Sequence, residues 1–377
     1  MHIDLPVVWA AIIGLGVFIY VALDGFDLGI GLLFPFFDAK VERQVMLDTV
    51  APVWDGNETF LVLGGAGLYG AFPVVYSTLL PANYLPLILM VVGLIFRGAA
   101  FELRAKANRT QHLWDLAFIG GSALAAFCQG IVLGSLLQGI KIADGRFVGG
   151  AFDWLSPFSL FCGLGVLVTY AALGCGWLIL KVDGELQRKM RLLMKPLTGV
   201  LLGAIVIVSL WTVVGLPAVA HRWFGSGDLI WFAPVPVLVL ACVWGILHTV
   251  RHKHEATPFL LTLAICFLGY TGLIISIWPN IVPPSLTIWD ASSSHSSQLF
   301  ALVGTVIVLP IILVYNAMQY RVFRGKVREG DGLPPLTPAG AGNANGLRDA
   351  RTPAPPRGAV FVTQGPRGRA AARRESS

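Results

Sequence analysis

Long apolar stretches alternate with short polar segments from residue 7 to residue 320. A helix of about 20 apolar residues crosses a bilayer core, and by that length the pattern predicts nine spans. Their predicted bounds are 7–36, 57–77, 83–103, 113–138, 157–180, 196–218, 229–250, 258–278 and 297–320. We therefore expect an all-α polytopic membrane protein, with the stretch STLLPAN forming a short loop between the second and third spans.

The end of the chain has a different composition. Residues 331–377 contain seven Pro and seven Gly without apolar periodicity, so they cannot bury enough apolar surface to fold. We predict a transmembrane domain over residues 1–325 and a basic, Pro/Gly-rich, disordered cytoplasmic tail over residues 326–377.

The overall composition agrees with a membrane protein. Of the 377 residues, 55% are hydrophobic and 13% are charged, and the mean hydropathy is +0.73. The net charge of +6 comes mainly from residues 331–377, which hold seven Arg against three acids, whereas residues 1–330 hold 20 Lys and Arg against 18 acids. Nucleic-acid binding by the body of the protein is therefore not expected.

Lys and Arg alternate between the predicted loops. The first, third and fifth loops carry two, three and five of them, whereas the second, fourth and sixth carry none, two and one. Because Lys and Arg concentrate on the cytoplasmic side of short loops, we expect a periplasmic N-terminus and a cytoplasmic C-terminus.

Two carboxylates, Asp24 and Asp27, interrupt the first apolar stretch. A charge within a span costs roughly 2.5–3.5 kcal/mol, which is rarely tolerated without a use. Their spacing places both on one helix face, in the cytoplasmic half of the predicted span. Gly25 and Gly29 form a small-xxx-small pair beside them, which predicts close approach by another helix.

Further charges gather at the same predicted depth. The second span begins with Asp55 and Glu58, the third ends with Arg97 and Glu102, and the fourth begins with Asp115. Carboxylates in such places are either helix-end charges or members of a functional cluster. We interpret Asp115 as a helix-end charge and leave both interpretations open for Asp55 and Glu58.

Asp24 and Asp27 cannot be N-terminal caps, because they lie inside an apolar stretch. In the functional interpretation they are protonatable groups that face a water-accessible route. In the structural alternative, Asp24 and Arg97 form an ion pair that transfers no proton.

Signals for a bound metal or nucleotide are absent from the sequence. The seven His fall at span ends or in loops, and Met90, deep in the third span, is expected to pack against other apolar groups. The five Cys lie in apolar stretches without a CxxC or CxxCH motif. We expect free thiols and no haem or metal in this chain, and neither a Walker A sequence nor a dinucleotide fingerprint is present.

Four motifs together resemble subunit II of the cytochrome bd-type ubiquinol oxidases. They are DGFDLGIG in the first span, VAPVWDGNETFL before the second, FRGAAFELR after the third and SLTIWDASSS before the ninth. The resemblance extends over roughly residues 1–325. The stretch GCGWLILKVDGELQRKMR, residues 174–191, is similar to the branch called cyanide-insensitive oxidase.

The resemblance implies a heterodimer in the bacterial inner membrane. Its subunit I would carry two haems b, haem d and the quinol-oxidising site, and the complex would reduce oxygen to water. This chain would hold no haem and would fold as two four-helix bundles plus one peripheral helix. A bound ubiquinone occurs in some members, and a small accessory subunit is a further candidate partner. The basic tail after Asp331 lies outside the resemblance: it either binds anionic lipid head groups electrostatically or is a plain disordered extension, which we favour.

The resemblance also implies a proton path from the cytoplasm through the acids of the DGFD and WDGN motifs, which here are Asp24, Asp27 and Asp55. Glu58 stands where other members often have a neutral residue, so we expect it to add a carboxylate to this path. Six further residues are expected to give ion-pair or structural support: Arg97, Glu102, Trp54, Asn57, Trp289 and Asp290.

Two other functions use the same features. A proton-coupled secondary transporter also needs intramembrane acids and Gly-rich helices, but the sequence has no matching pair of Gly/Pro-interrupted half-helices. A purely structural subunit would hold the acids in ion pairs and would take no part in proton movement.

Overall fold

The computed structural model describes residues 4–107, 109–224 and 234–328. The predicted disorder of residues 331–377 and the first five residues of the span predicted at 229–250 lie outside the described residues. Everything below concerns the described part of the chain.

The described residues fold almost entirely as helices, with two short antiparallel hairpins in the connections. The helices are α1 Leu5–Leu33, α2 Lys40–Asp48, α3 Trp54–Ala71, α4 Pro73–Ala82, α5 Tyr84–Lys106, α6 Gln111–Gln138, α7 Pro157–Lys181, α8 Gly184–Gly215, α9 Pro217–Phe224, α10 Pro234–Arg251, α11 Thr257–Ile277 and α12 His295–Val322, and a 3₁₀ turn at Phe34–Phe36 follows α1. The hairpins pair β1 Ile142–Ala143 with β2 Arg146–Phe147 and β3 Asn280–Val282 with β4 Leu286–Thr287.

The predicted all-α polytopic fold is confirmed. Eight helices of the described residues are long and apolar enough to cross a membrane. The span predicted at 57–77 is more polar than the others and is divided between α3 and α4, which meet at Phe72. The stretch STLLPAN, predicted as a loop, is largely the second half of α4, which ends at Ala82, one residue after the proline of this stretch.

The helix bounds follow local sequence signals. The side chain of Asp4 accepts a hydrogen bond from the Val7 amide and caps α1, and Ser156 forms a reciprocal capping box with Ser159 at the start of α7. Helix α8 begins at Gly184 rather than at residue 196 as predicted. The charged stretch ELQRKMR consists of good helix formers, so the helix continues beyond its apolar part.

The helices pack as two sets of four. Helices α1, α3, α5 and α6 form one bundle, in which α1 contacts α3 and α6, and α5 contacts α6. Helices α7, α8, α10 and α11 form the other, in which α7 contacts α8 and α11, and α10 contacts the same two helices. The main contacts between the bundles are made by α7, which packs against both α1 and α6. The core at this junction contains Phe26 stacked on Trp177, with ring centroids 4.2 Å apart.

The close approach predicted from Gly25 and Gly29 is present between α1 and α7. A Cβ atom at Gly29 would overlap the carbonyl oxygen of Tyr170, and one at Gly174 would lie 2.6 Å from the carbonyl carbon of Gly29. The two backbones therefore touch only because both helices carry glycine at the crossing point. This contact holds the acidic face of α1 at the centre of the molecule.

Helix α12 lies outside both bundles and contacts mainly α3 and α1. Its C-terminal end is held by Lys181 of α7, whose ammonium donates to the carbonyl oxygen of Phe323 (2.5 Å). The amide of Val327 then donates to the carbonyl oxygen of Lys181 (2.8 Å). These bonds fix the polar end of α12 against the bundles although most of its length is exposed in the isolated chain.

Candidate functional site

Arg97 of α5 is the centre of a buried ionic cluster between α1 and α3. Its guanidinium is fully buried and donates from Nη1 to Asp24 Oδ1 (2.5 Å) and from Nη2 to Glu58 Oε1. Asp24 is also fully buried, and its second oxygen, Oδ2, has no hydrogen-bond partner among the described residues. The ion pair that the sequence left open as an alternative is therefore present.

Asp27 lies one turn farther along α1 and has no cation in contact. Its Oδ2 accepts a hydrogen bond from Asn57 Nδ2 (2.7 Å), and its Oδ1 is buried without a partner in the described part of the chain. Asn57 in turn accepts a hydrogen bond from the Tyr320 hydroxyl at its Oδ1 (2.8 Å). Asp27 is fully buried, and Asp24, Arg97 and Glu58 lie within its electrostatic range.

The carboxylates become more exposed towards the start of α3. Asp55, in its first turn, is exposed, and the side chain of Glu58 is 28% exposed. Asp24 and Asp27 are both 0% exposed. Successive acids therefore lead from the surface of this chain into its interior.

Trp54 closes one side of the cluster. Its ring stacks on Phe101 with centroids 5.1 Å apart and planes 11° apart, and the Arg97 guanidinium lies 6.0 Å from its centroid. Gly98 lies beneath the indole and leaves room for it. The indole therefore packs against both Phe101 and the buried guanidinium, and the supporting role of Trp54 stays a prediction.

Three of the expected support residues lie elsewhere. Glu102 is exposed on α5, so its expected supporting role stays a prediction. Trp289 donates from Nε1 to Asp4 Oδ2 (2.9 Å) at the opposite end of α1, and Asp290 accepts from Thr287 Oγ1. Since a helix rises 1.5 Å per residue, this end is about 30 Å from Asp24.

A second ionic cluster, which the sequence analysis missed, lies where α2, α5 and α6 meet. Arg104 is buried and donates from Nε to Asp115 Oδ1 (2.5 Å), and Arg43 Nη1 lies 3.0 Å from Asp115 Oδ2. The interpretation of Asp115 as a helix-end charge is wrong, because it is the fifth residue of α6 and is bound by two guanidinium groups. Arg104 lies seven residues after Arg97 and thus on the same helix face, a signal that could have revealed it.

Gln44 connects this cluster to the end of α2. Its Oε1 accepts from Arg104 Nη1 (2.5 Å), and its Nε2 donates to Asp48 Oδ1 (2.8 Å). Burial raises the pKa of Asp48, and the hydrogen bond from Gln44 partly offsets that rise. The short helix α2 is thereby fixed beneath the bundle.

Replacing Asp115 by asparagine is expected to destabilise the protein by about 3 kcal/mol, because the buried Arg104 would lose its counter-charge. The thermal unfolding midpoint of the purified protein should fall, while activity per folded molecule stays unchanged. The exposed Glu102→Gln variant is the control and should unfold like the wild type. An unchanged midpoint for Asp115→Asn would contradict a stabilising role of this cluster.

A further buried polar chain extends from the first cluster into the bundle. Gln129 Nε2 donates to the Tyr20 hydroxyl (2.8 Å), and the Tyr170 hydroxyl donates to Gln129 Oε1 (2.6 Å). Tyr20 lies one turn before Asp24 and within its electrostatic range. No sequence pattern points to these residues, because isolated Tyr and Gln residues in apolar stretches have no distinctive spacing.

Metal ligands are not gathered in the described residues. Over 4–107, 109–224 and 234–328, no group of three or more His, Cys, Asp or Glu side chains could hold a metal ion. The five cysteines are free thiols, as expected, with three of them buried and two partly buried. The absence of haem from this chain stays a prediction from the resemblance.

Comparison with known proteins identifies relatives that match most of the chain and are named as cytochrome oxidase subunits. The chain is 28% identical to the cytochrome bd-I ubiquinol oxidase subunit 2 of Escherichia coli over 369 residues (86% of this chain, 95% of that protein). It is 29% identical to a probable cytochrome oxidase subunit 2 of Haemophilus influenzae (81% and 90%). It is 28% identical to the cytochrome bd ubiquinol oxidase subunit 2 of Bacillus subtilis (86% and 96%).

A solved structure and a family profile complete the comparison. The fold is similar to a chain in the structure of bd oxidase from Geobacillus thermodenitrificans, with a TM-score of 0.71 and 18% identity, covering 85% of this chain and 99% of that one. The profile of the family described as cytochrome bd terminal oxidase subunit II matches residues 5–323. The sequence motifs, the helical membrane fold and this match lead to one conclusion: the chain belongs to the cytochrome bd terminal oxidase subunit II family.

Proposed function

We propose that this chain serves as subunit II of a bd-type quinol oxidase and provides the cytoplasmic proton entry for oxygen reduction. Membership of the family makes it part of an oxidoreductase complex with a subunit I. In the proposal, subunit I carries two haems b and haem d, which supply the oxygen-reducing chemistry. This chain supports that subunit and delivers protons.

The balance of charge around Arg97 carries the proposal. One guanidinium faces three carboxylates: Asp24, Glu58 and Asp27. Arg97 contacts the first two, and Asp27 has only the amide of Asn57. Because an unpaired buried charge is costly, a proton on Asp27, the carboxylate that Arg97 does not contact, reduces the excess negative charge of the cluster. The cluster is therefore suited to bind at least one proton.

The gradient of exposure supports a direction for that proton. It enters at the exposed Asp55, passes the partly exposed Glu58 and reaches Asp27 through water. Asp24 holds Arg97 with one oxygen, and its unpaired Oδ2 can accept the proton from Asp27 on the same face of α1. Asp24 thus has both a structural and a transfer role in the proposal.

Other parts of the assignment rest on the sequence alone. The chain is a multi-pass membrane protein, and we infer a bacterial inner-membrane location with the N-terminus periplasmic, because Lys and Arg concentrate in the odd-numbered loops. A bound ubiquinone, a small accessory subunit and contacts of the tail with lipid stay predictions. The transporter alternative is not favoured, since the relatives are oxidase subunits.

Copurification tests the assignment to an oxidase. A tag on this chain should recover a second large membrane subunit together with the visible absorption of haem d. A colourless protein recovered alone from oxygen-limited and well-aerated cells would contradict the proposed complex.

Replacing Asp27 by asparagine is expected to slow oxygen consumption by roughly 10²-fold, because the side chain can no longer take up a proton. Haem content should stay normal, since asparagine keeps the shape of the side chain and its contact with Asn57. Oxygen uptake with quinol and proton uptake in vesicles measure the effect. Asp38→Asn, an exposed acid in the first loop, is the matched control and should behave like the wild type.

The outcome separates the proton path from the alternatives. Normal turnover and proton uptake in Asp27→Asn with full haem content would leave only the purely structural role. Loss of haem would point to assembly, in which case Asp55→Asn, at an exposed acid that has no bond to the buried pair of Asp24 and Arg97 among the described residues, tests the path.

A further inference from the structure

Tyr320, near the end of α12, is connected through the side chain of Asn57 to the face of α1 that carries Asp24 and Asp27. Its hydroxyl donates to Asn57 Oδ1 (2.8 Å), and Asn57 Nδ2 donates to Asp27 Oδ2 (2.7 Å). Three helices, α12, α3 and α1, are thus joined by two consecutive hydrogen bonds at the proposed proton site. No sequence motif pointed to Tyr320.

The Nδ2 and Oδ1 atoms of the Asn57 side-chain amide have different hydrogen-bond partners, so the two atoms cannot exchange places. The Nδ2 end faces two acceptors, Asp27 Oδ2 and the Leu23 carbonyl oxygen at 3.5 Å. A flipped amide would place its oxygen against the carbonyl of Leu23, leaving that contact repulsive. The Tyr320 hydroxyl donates to the other end and holds the amide oxygen there.

This orientation determines which oxygen of Asp27 can carry a proton. Oδ2 already accepts from the Asn57 amide and would become a weaker acceptor if it were protonated. Oδ1 is buried and has no partner in the described part of the chain. We propose that Tyr320 is a positioning residue that, through Asn57, confines the exchangeable proton of Asp27 to Oδ1.

The step is a simple proton transfer and rests on the function proposed above. A hydronium ion gives its proton to Asp27 Oδ1, an O–H bond forms and a water molecule remains. The proton leaves from the same atom towards the next water or towards Asp24 Oδ2. Because Oδ1 always carries the proton, Asp27 takes up and releases the proton on the same side of its carboxyl group.

Charged and polar side chains face Asp27 from its own helix and from three neighbouring helices. Asp24 lies on its own helix, Glu58 and Asn57 on α3, Arg97 on α5 and Tyr320 on α12. Arg97 is engaged by the two other carboxylates. The link through Asn57 is therefore what distinguishes one Asp27 oxygen from the other.

Local packing holds Tyr320 in place. Its ring contacts the edge of Trp177 with centroids 6.1 Å apart, and the neighbouring Gln319 Nε2 donates to the Pro52 carbonyl oxygen (2.5 Å). Gly56 permits this approach, since a Cβ there would lie 2.7 Å from Gln319 Oε1. The phenol ring is thus held by its contact with Trp177 of α7 and by the hydrogen bond from its neighbour Gln319 to Pro52.

Tyr320→Phe in the intact oxidase tests the proposal. Losing one neutral hydrogen bond should slow turnover roughly two- to tenfold and shift the pH profile of oxygen consumption, with haem content unchanged. In infrared difference spectra the carboxylic C=O band that disappears in Asp27→Asn should move or split. Tyr315→Phe, an exposed tyrosine on the same helix, is the matched control and should match the wild type.

The results separate this proposal from the one on which it rests. If Asp27→Asn blocks proton uptake while Tyr320→Phe leaves turnover, pH profile and carboxyl band unchanged, the proton path stands and the role of Tyr320 is overturned. If Asp27→Asn has no effect, both fail. Should Tyr320→Phe not assemble, the wild-type spectrum decides, because a single Asp27 C=O band supports one protonated oxygen and two bands would refute it.

Discussion

Replacing Arg97 by leucine is expected to prevent the recovery of a stable haem-containing complex. Asp24 is fully buried and would lose the guanidinium that contacts it. Removing one partner of a buried ion pair costs roughly 3–5 kcal/mol, a large part of the 5–15 kcal/mol that stabilises a typical protein. Glu58 adds less to the loss, because its side chain is partly exposed.

Two further variants show whether the effect comes from the unpaired charge. Arg109→Leu removes an exposed arginine from the following loop and should leave yield, haem content and thermal midpoint unchanged. The double variant Asp24→Asn with Arg97→Gln removes both charges and should recover part of the lost stability. If Arg97→Leu is as stable as the wild type, the ion pair does not hold these helices together.

Replacing Gly29 by alanine should be nearly as severe, for a steric reason. The added methyl group would overlap the Tyr170 carbonyl oxygen and lie 3.0 Å from the Gly174 amide nitrogen. Both neighbours are backbone atoms, so no side-chain rotation can relieve the contact, and α1 must move away from α7. We expect at least a roughly tenfold lower yield of folded complex, because this crossing joins the two bundles.

Gly14→Ala provides the control on the same helix. Its added methyl group would meet only the Tyr270 hydroxyl at 3.5 Å, an ordinary contact distance. Yield and visible spectrum of both variants should be compared after expression with subunit I. A normal yield for Gly29→Ala would mean that the two helices are not in the contact described here.

Much of the architecture could be predicted from the sequence. Apolar runs of about 20 residues specify membrane helices because lipid offers no partner for an unpaired backbone amide. The charged, helix-forming stretch before residue 196 shows the limit of that argument, because hydropathy marks the lipid-embedded part and not the end of the helix. The cost of a charge in lipid singled out Asp24 and Asp27, and the small-xxx-small pair of Gly25 and Gly29 predicted the crossing of α1 with another helix.

The partners of the charged residues could not be predicted in the same way. Arg97 and Glu102 are five residues apart, which turns them about 140° from each other on a helix, and Glu102 faces outward. Arg97 and Arg104 are seven residues apart and share a face, yet the second pairs with Asp115 and not with the acids of α1. Depth along the membrane places charges at one level, but rotation of each helix decides which of them meet.

For this protein the sequence alone determined the membrane class, the approximate spans, the family motifs and the carboxylates that needed an explanation. Those properties depend on residues close together in the chain and on their cost in lipid. Only the tertiary structure decided that Arg97 holds Asp24 and Glu58, that Asp27 has no cation, and that Tyr320 reaches it through Asn57. These contacts join residues up to 263 positions apart, and they depend on how the helices are rotated and packed, which no local pattern specifies.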